Sequence, residues 1–440
     1  MRSESAEVVI IGGGPAGSTA GNLLACQGRR VIVLEKDSFP RFHIGESLLP
    51  YSTNLLERLG VRKAVEDLGS VEKYGVRFYT GDGSFQTTIY FNDTLERSPS
   101  VTYQVVRAEF DRVLLEECGR RGADVRQQHA AVSAERAAGE WRIRVRRTRP
   151  ALEANGVPEG TDGGEDEYEI TCPYLLDASG RDTFLAQRSR SKRMAEGHRR
   201  IAIYAHYENV VLDPGIDAGN TLVVAVEGGW FWVIPLARGV TSLGLVIDGE
   251  IYRRSGLEPE AALERAMAAS PEMRRRTTEA QRVTIVRATS NYSYFTDAPT
   301  GDGYVVVGDA YAFLDPVFST GVWLAMLGGE RASDVIGRCL DEPPRAAEVL
   351  AKHARFVKRS NSRFWRFVDY FYRPEFLDIL MRPTDTLALR AAVTSVLAGT
   401  PSESLALRAR LALFFLVVQI QRWVPLQPPI ARCRVLEPAA

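Results

Sequence analysis

Cysteine is scarce in this chain, with five among 440 residues and no pair spaced as C-x-x-C. Scattered single thiols form neither a disulfide framework nor a metal-ligand motif. We therefore expect free thiols, no metal site and a cytoplasmic protein. The five are Cys26, Cys118, Cys172, Cys339 and Cys433.

An excess of charge of one sign is also absent, because 55 Lys and Arg residues balance 55 Asp and Glu residues. Net charge therefore gives no reason to expect a nucleic acid or an acidic membrane as partner. One local run is basic, and it is compatible with either a solvated face or a docking surface for an acidic protein. Its cations include Arg188, Arg190, Lys192, Arg193, Arg199 and Arg200.

Long hydrophobic runs are missing as well. The apolar stretch from Leu411 to Ile420 has about half the length that a membrane span needs, so it predicts a buried helix instead. The first apolar run of the chain belongs to the glycine-rich pattern described next, and it is not a signal peptide. We therefore expect no membrane-spanning segment.

The first forty residues contain the most informative pattern of the chain. Val8 to Ile11 predicts a strand, a glycine-rich turn follows it, and Ala16 to Gln27 predicts a helix. Arg30 to Leu34 predicts a second strand, which ends at Glu35. Strand, glycine turn, helix, strand and acid in this order are typical of a dinucleotide-binding unit.

Each glycine of this turn has a physical role in such a unit. Gly12 permits the tight turn, Gly14 lets the backbone approach a pyrophosphate, and Gly17 lets the helix lie close to the sheet. The pyrophosphate lies at the helix N-terminus, where free N–H groups favour an anion. Glu35 is placed to accept a hydrogen bond from a ribose hydroxyl.

Two further segments lead back to the same sheet. A strand enters Asp177-Ala178-Ser179-Gly180, and another ends at Gly308-Asp309. A nicotinamide-only dehydrogenase usually keeps its nucleotide domain contiguous, whereas this interrupted arrangement is the one expected for FAD. A second glycine fingerprint for NADPH is absent from the sequence, so we expect a separate flavin reductase to deliver reduced flavin.

Alternating strands occupy the segments between these pieces. We predict an α/β fold, with a Rossmann-like FAD-binding domain interleaved with an antiparallel-sheet substrate domain and followed by a helical C-terminal region. The predicted boundaries are 1–70, 107–185 and 297–340 for the FAD-binding domain, 71–106 and 186–296 for the substrate domain, and 341–440 for the helical region.

Several local expectations concern the substrate side. Val71 to Tyr79 predicts one strand that carries Lys73, and Tyr292 to Phe295 is expected to complete the second sheet. Ser47 is placed to cap a helix from Leu48 to Leu59. The polar segment from Arg147 to Glu167 predicts an exposed hairpin loop.

These motifs resemble the flavoprotein monooxygenases of the hydroxybenzoate-hydroxylase fold, over roughly the first 330 residues. The match is to the glycine fingerprint, the Asp177 segment, the Gly308-Asp309 pair and an arginine that contacts the cofactor, Arg107. The resemblance implies FAD-binding roles for Gly12, Gly14, Pro15, Ala16, Gly17, Glu35, Lys36, Arg41, Ser47, Arg107, Asp177, Gly180, Asp309, Gly321 and Val322.

Within that superfamily the chain is most similar to the flavin-dependent halogenases. Trp230 to Pro235 reproduces their W-x-W-x-I-P motif, and Lys73 lies in a segment that resembles the one carrying their essential lysine. Pro40 to Ser47 resembles their P-R-x-x-x-G-E-S segment, and Asp315 to Gly321 resembles their halide loop. Phe318 departs from the halogenases of free tryptophan, which carry Glu there. The pattern is closer to halogenases of phenols and pyrroles, many of which act on substrates tethered to a carrier protein.

The resemblance implies a mechanism in which FADH2 and O2 give a flavin hydroperoxide that oxidises chloride to hypochlorous acid. The amides of Thr320 and Gly321 would hold the chloride, and Trp230 and Trp232 would keep the organic substrate away from the flavin. Lys73 would deliver the chlorine, as an ammonium hydrogen-bonded to hypochlorous acid or as a chloramine. The aromatic substrate, the site of attack, the base for the ring proton and the oligomeric state stay open.

Two other interpretations fit the same motifs less well. A flavin-dependent aromatic hydroxylase or a reductase of this fold needs no halide, so halide dependence separates it from a halogenase. A flavin-bound docking partner without activity leaves Lys73 and the halide loop without a purpose.

Overall fold

The structure of the protein is a computed structural model. It describes residues 3–95, 98–147, 167–195, 199–290, 293–382, 386–402 and 404–437. The predicted hairpin loop from Arg147 to Glu167 lies almost entirely outside these residues.

A six-stranded sheet, here called the nucleotide sheet, forms the base of the cofactor cavity. Its three central strands, Tyr174–Asp177, Val8–Ile11 and Val31–Glu35, are mostly apolar and almost fully buried, as expected for a parallel sheet covered on both faces. All neighbouring pairs are parallel except the edge pair of Thr300–Gly301 with Tyr304–Val306. The spatial order is Thr300–Gly301, Tyr304–Val306, Tyr174–Asp177, Val8–Ile11, Val31–Glu35 and Asp124–Gln127.

A second, eight-stranded sheet stands across the cavity and is here called the wall sheet. Most neighbours are antiparallel, but Thr221–Val226 runs parallel to Gly75–Thr80. Its inner strands carry apolar residues on both faces, because helices pack on each side. The order is Gln281–Arg282, Arg200–Glu208, Thr241–Asp248, Gly229–Pro235, Thr221–Val226, Gly75–Thr80 and Gln86–Tyr90, with Arg287–Ser290 also paired to Arg200–Glu208.

Two predictions about the strands are wrong. Val71 to Tyr79 is not one strand, because Val71–Lys73 leaves the wall sheet and pairs with Thr102–Gln104 in a separate ribbon. The backbone N–H groups of Tyr74 and Gly75 both donate to the Asn220 side chain at the break between the two strands, at 2.9 and 2.7 Å. The segment near Tyr294 does not complete the wall sheet either, since Tyr294–Thr296 pairs with Lys192–Met194 and Ala312–Phe313.

A four-stranded sheet covers the outer side of the nucleotide sheet. Its strands Glu140–Arg147 and Glu167–Cys172 pair antiparallel, and their inward residues pack on the buried strands beneath. The other members are Ser3–Ser5 and His129–Ala137. The predicted α/β arrangement of two interleaved sheets is confirmed.

The α-helices cover the sheets and form the C-terminal region. Pro15–Cys26 packs against the nucleotide sheet and against Thr320–Asp341, whose N-terminal half lines the cavity. Within the described residues no helix is long and apolar enough to cross a bilayer. The helices are Pro15–Cys26, Pro50–Leu59, Arg62–Asp67, Arg107–Arg120, Phe184–Ser189, Gly249–Ser255, Pro259–Ala269, Pro271–Arg276, Thr320–Asp341, Ala346–Phe371, Pro374–Leu380, Leu389–Leu397 and Leu405–Gln421.

Candidate active site

A cavity of about 550 Å³ lies between the nucleotide sheet, the wall sheet and the helix Thr320–Asp341. Most of the predicted site residues meet on its walls, although they come from seven separate segments of the chain. Those that line it are Gly12, Gly14, Pro15, Ala16, Glu35, Lys36, Arg41, Ser47, Arg107, Gly180, Trp230, Trp232, Asp309, Thr320, Gly321 and Val322.

The glycine turn is shaped for a dinucleotide. Gly12 adopts φ +104°, and a Cβ built there would lie 2.3 Å from the Ala178 carbonyl oxygen. A Cβ on Gly17 would lie 1.9 Å from the Gly12 carbonyl oxygen. Gly17 therefore stands behind the cavity wall and serves the close helix–strand contact, while the free N–H groups at the helix start face the cavity.

The acidic end of the second strand is held by the backbone. Glu35 accepts hydrogen bonds from the N–H groups of Gly13 and Asp37, at 2.7 and 2.9 Å. Burial raises the pKa of its carboxyl group, and these two donors oppose the rise. Since each carboxylate oxygen has two lone-pair sites, Glu35 can still accept from a ribose hydroxyl.

Two arginines supply positive charge beside the glycine turn. Arg107 is buried and holds Asp111 in a fork, with N–O distances of 2.8 and 2.9 Å. Arg41 also contacts Asp111, at 3.2 Å, and its guanidinium lies near Gly14. A partly exposed guanidinium beside Gly14 suits phosphate binding. Burial raises the pKa of Asp309 to about 6, and the charge of Arg107 opposes it. The glycine cradle, the arginines and Asp309 together fit FAD.

Asp177 does not reach the cavity. Its buried carboxylate accepts from the N–H and hydroxyl of Ser179 and from the N–H of Leu185. These bonds brace the turn that carries Gly180 and Arg181 to the cavity wall. Sequence reasoning assigned Asp177 to the cofactor, but its geometry is that of a support behind the wall.

Lys73 is completely buried, and its Nζ stands behind the cavity wall. The Nζ donates to the Ser47 hydroxyl at 2.8 Å and to the Leu48 carbonyl at 3.2 Å, and it lies 5.2 Å from the centre of the Phe91 ring. Without a carboxylate partner among these contacts, burial lowers its pKa to about 7. Both the amine and the ammonium are therefore populated at neutral pH.

Ser47 connects the lysine to the cavity, and its predicted capping role is wrong. The helix begins at Pro50 with Leu49 as N-cap, and no side chain caps it. The Ser47 hydroxyl instead accepts from Lys73 and lies 2.9 Å from the Thr221 hydroxyl, which accepts from Gln104. Thr221 and Gln104 carry no motif, and sequence reasoning did not find them.

Trp230 and Trp232 stand side by side on one wall strand, with ring centres 5.9 Å apart. Both are buried and line the cavity. The Trp232 indole donates to the Ser242 hydroxyl at 3.1 Å, and the Trp230 indole donates to the Tyr372 hydroxyl at 3.0 Å. Satisfied N–H groups fix both rings in place.

The segment from Asp315 to Gly321, which resembles the halide loop of the halogenases, turns sharply into the long helix. Ser319 has φ +55°, and the first helical residues, Thr320 and Gly321, present their amides at the helix N-terminus. Asp315 anchors the loop by accepting from the Val317 N–H at 3.1 Å. Phe318 packs edge-on against Phe371, so this position is part of the aromatic core and not a ligand of the cavity.

The comparisons with known proteins agree with this geometry. The FAD binding domain family model matches residues 5–328. A 1H-pyrrole-2-carbonyl-[peptidyl-carrier protein] brominase from Pseudoalteromonas luteoviolacea is 34% identical over 77% of this chain and 79% of that protein. The chain belongs to the flavin-dependent halogenases. The halogenase relatives identify it as an FAD-binding oxidoreductase, and the hydroxylase alternative is not favoured.

Other halogenases extend the comparison. A tryptophan 2-halogenase from Chondromyces crocatus is 33% identical over 73% of this chain and 59% of that protein. The flavin-dependent brominase Bmp2 superposes with a TM-score of 0.81 at 26% identity, covering 95% of this chain and 99% of that chain. The myxobacterial chondrochloren halogenase CndH gives 0.75 at 28% identity, covering 94% and 97%.

Proposed function

We propose that the enzyme chlorinates an electron-rich aromatic ring, phenolic or pyrrolic, using FADH2, O2 and chloride. The observation that carries the proposal is the buried Lys73, hydrogen-bonded through Ser47 to a cavity that fits FAD. Bound reduced FAD and O2 supply the oxidising equivalents that convert the halide into hypohalous acid. The relatives include both a brominase and a chlorinase, so bromide is a second halide to test.

Lys73 handles the electrophilic halogen in this proposal. As an ammonium, it donates a hydrogen bond to the oxygen of hypochlorous acid and polarises the O–Cl bond. As an amine, it takes the chlorine and releases water, and the chloramine then passes the chlorine to the ring. A pKa of about 7 populates both forms at neutral pH, and Ser47 orients the Nζ in either case.

The two tryptophans separate this chemistry from hydroxylation. Rigid indoles on the cavity wall keep an aromatic ring from approaching the flavin, so halide reaches the oxidant first. The backbone amides of Thr320 and Gly321 donate hydrogen bonds to the halide at a helix N-terminus, where the helix dipole favours an anion.

Two partners complete the proposal. A separate reductase supplies FADH2, because the sequence holds one dinucleotide fingerprint and no second site for NADPH. A peptidyl-carrier protein presents the substrate, since two relatives act on 1H-pyrrole-2-carbonyl-[peptidyl-carrier protein]. Five cysteines without a disulfide suit a cytosolic enzyme.

The test is turnover with FADH2, O2 and halide on a panel of phenols and pyrroles, free and carrier-bound, followed by mass spectrometry. Chlorinated product that disappears without halide supports the proposal. Lys73→Ala should abolish that product while flavin reoxidation continues. Halide-independent hydroxylation by the wild-type enzyme, or normal chlorination by Lys73→Ala, would contradict it.

A further inference from the structure

The last helix, Leu405–Gln421, is apolar on two opposite sides. One side is buried against the protein through Leu407, Leu411, Phe414 and Val418. A helix with apolar residues all round is normally enclosed. Here, however, a second apolar face lies in solvent, here called the outer stripe: Leu405, Ala409, Ala412, Leu416, Ile420 and Trp423.

The outer stripe follows helical spacing, with steps of three or four residues. Its ends are the most exposed, since Leu405 is 79% and Trp423 is 78% exposed. Trp423 lies two residues past the helix end, and Val424 and Leu426, which are exposed too, extend the stripe further. A contiguous exposed patch of large apolar residues on a protein marks an interaction site.

Charge around the stripe is one-sided. From Ser404 to Leu426, which covers the helix and the turn after it, the sequence holds three cations and no acid, although the whole chain is neutral. A second copy of the chain would therefore bring like charges together, whereas an acidic partner would be attracted. The cations are Arg408, Arg410 and Arg422, whereas Arg390 and Arg434 pair with Asp93 and Glu227 within the protein.

An apolar recess opens beside the stripe. It has a volume of about 140 Å³ and is lined by Val417, Leu426 and, on its inner side, Ile89. Ile89 lies two residues from Phe91, whose ring contacts the Nζ of Lys73. The recess therefore adds apolar surface beside the stripe that a partner can contact.

The basic run found in the sequence offers less for docking. Arg200 is buried with its guanidinium 3.4 Å from the centre of the Tyr372 ring, and Arg193 pairs with Asp297 at 2.6 Å. Arg188 folds onto the Phe184 ring at 3.5 Å. These cations serve contacts within the protein.

We propose that the outer stripe and its arginines dock an acidic carrier protein that presents a thioester-bound substrate to the enzyme. The inference rests on the proposed function, and specifically on a carrier-bound substrate. Apolar contact at the stripe holds the carrier, and the arginines accelerate its association.

The experiment compares pyrrole-2-carboxylate loaded on a peptidyl-carrier protein with the same acid as a free pantetheine thioester. The stripe variant combines Arg408→Glu, Arg422→Glu and Trp423→Ser. The matched control combines Arg142→Glu and Ile285→Ser, which are exposed far from the C-terminal helix. Melting temperature and FAD content verify that both variants fold.

We expect the stripe variant to raise KM for the carrier-bound substrate at least tenfold and to leave turnover of the thioester unchanged. The wild-type KM should rise with salt, and that dependence should shrink in the variant. Equal effects on both substrates, or none on the carrier form, would overturn the docking role while leaving the function intact. If the wild type halogenates neither form, nor any phenol of the panel above, the proposed function fails instead.

Two further measurements exclude other occupants. Light scattering reports whether the stripe variant dissociates an oligomer, and flotation with vesicles of equal parts phosphatidylcholine and phosphatidylglycerol reports membrane binding. Loss of an oligomer or of vesicle binding, together with an unchanged KM for the carrier form, would assign the stripe to a second copy or a lipid surface and refute the carrier.

Discussion

The hydroxyl of Tyr372 links Trp230 to Asp315. It accepts from the Trp230 indole at 3.0 Å and donates to the Asp315 carboxylate at 2.6 Å. One atom from the C-terminal region thus fixes both the tryptophan wall and the anchor of the halide loop. The guanidinium of Arg200 lies over the face of the Tyr372 ring, 3.4 Å from its centre, and stabilises the position of this side chain.

Tyr372→Phe should weaken halide use more than it weakens the fold. The substitution removes one donor from the Asp315 carboxylate, so more of its negative charge faces the loop that presents the halide amides. It also releases the Trp230 indole. We expect the halide KM to rise about tenfold, as for loss of one hydrogen bond to a charged group. A smaller share of the oxygen consumption should be coupled to formation of halogenated product.

Tyr370→Phe is the matched control for this prediction. Tyr370 lies two residues earlier, in the last turn of the helix that precedes Tyr372, and its hydroxyl accepts from Gln419 at 2.8 Å. Both variants are assayed at several halide concentrations, and peroxide release is measured beside product. Equal halide KM values in the two variants would refute the role of Tyr372.

Burial of Lys73 predicts a stability that depends on pH. Its pKa is lowered to about 7 in the folded protein, whereas an unfolded lysine titrates near 10.4. Between these values the unfolded chain binds one more proton, so the free energy of unfolding rises with pH by about 1.4 kcal/mol per unit. Below pH 7 the folded protein bears the full free-energy cost of burying the charged lysine.

Lys73→Met removes this contribution and should be more stable than the wild type at pH 7. The difference in melting temperature between the two proteins should shrink steadily from pH 7 to pH 10, because the wild type alone gains stability there. A constant difference over this range would show that Lys73 keeps an ordinary pKa.

Sequence reasoning located the cofactor side of the site well. The strand–turn–helix pattern around Gly12 is local, and its physical requirements are met within a few consecutive residues. The same holds at Thr320, because the helix begins there and its first two amides belong to consecutive residues. Short-range geometry of this kind can be predicted from a sequence, because the residues that determine it are neighbours in the chain.

The substrate side was less predictable, since its contacts join distant segments. Ser47 looked like a helix cap, but Lys73 competes for its hydroxyl from 26 residues away. Tyr372 reaches Asp315 across 57 residues, and neither carries a pattern that pairs them. The break after Lys73 depends on Asn220, another distant partner. Tertiary hydrogen bonds override local preference at these positions.

Gly12→Ala should abolish FAD binding. The backbone there has φ +104°, and the added Cβ would meet the Ala178 carbonyl oxygen at 2.3 Å. Gly28→Ala is the control, because Gly28 also has a positive φ but open space around its Cβ position. We expect Gly28→Ala to cost about 1 kcal/mol and to retain FAD by absorbance. FAD retained by Gly12→Ala would show that the turn can relax.

Ser47→Ala tests whether activity requires a correctly oriented Lys73, because the variant keeps the lysine and removes the hydroxyl that accepts from its Nζ. The serine hydroxyl accepts from the Nζ at 2.8 Å, which stabilises the ammonium, so its loss should lower the pKa of Lys73 further. We expect halogenation to fall by about tenfold or more. The pH–rate limb that reports Lys73 should move to lower pH, while flavin reoxidation stays the same.

Ser52→Ala is the matched control, since Ser52 is equally buried and its hydroxyl has no hydrogen-bond partner among the described residues. A loss of activity with an unmoved pH limb would mean that Ser47 acts on the cofactor or the fold, and that Lys73 is oriented by the Leu48 carbonyl alone.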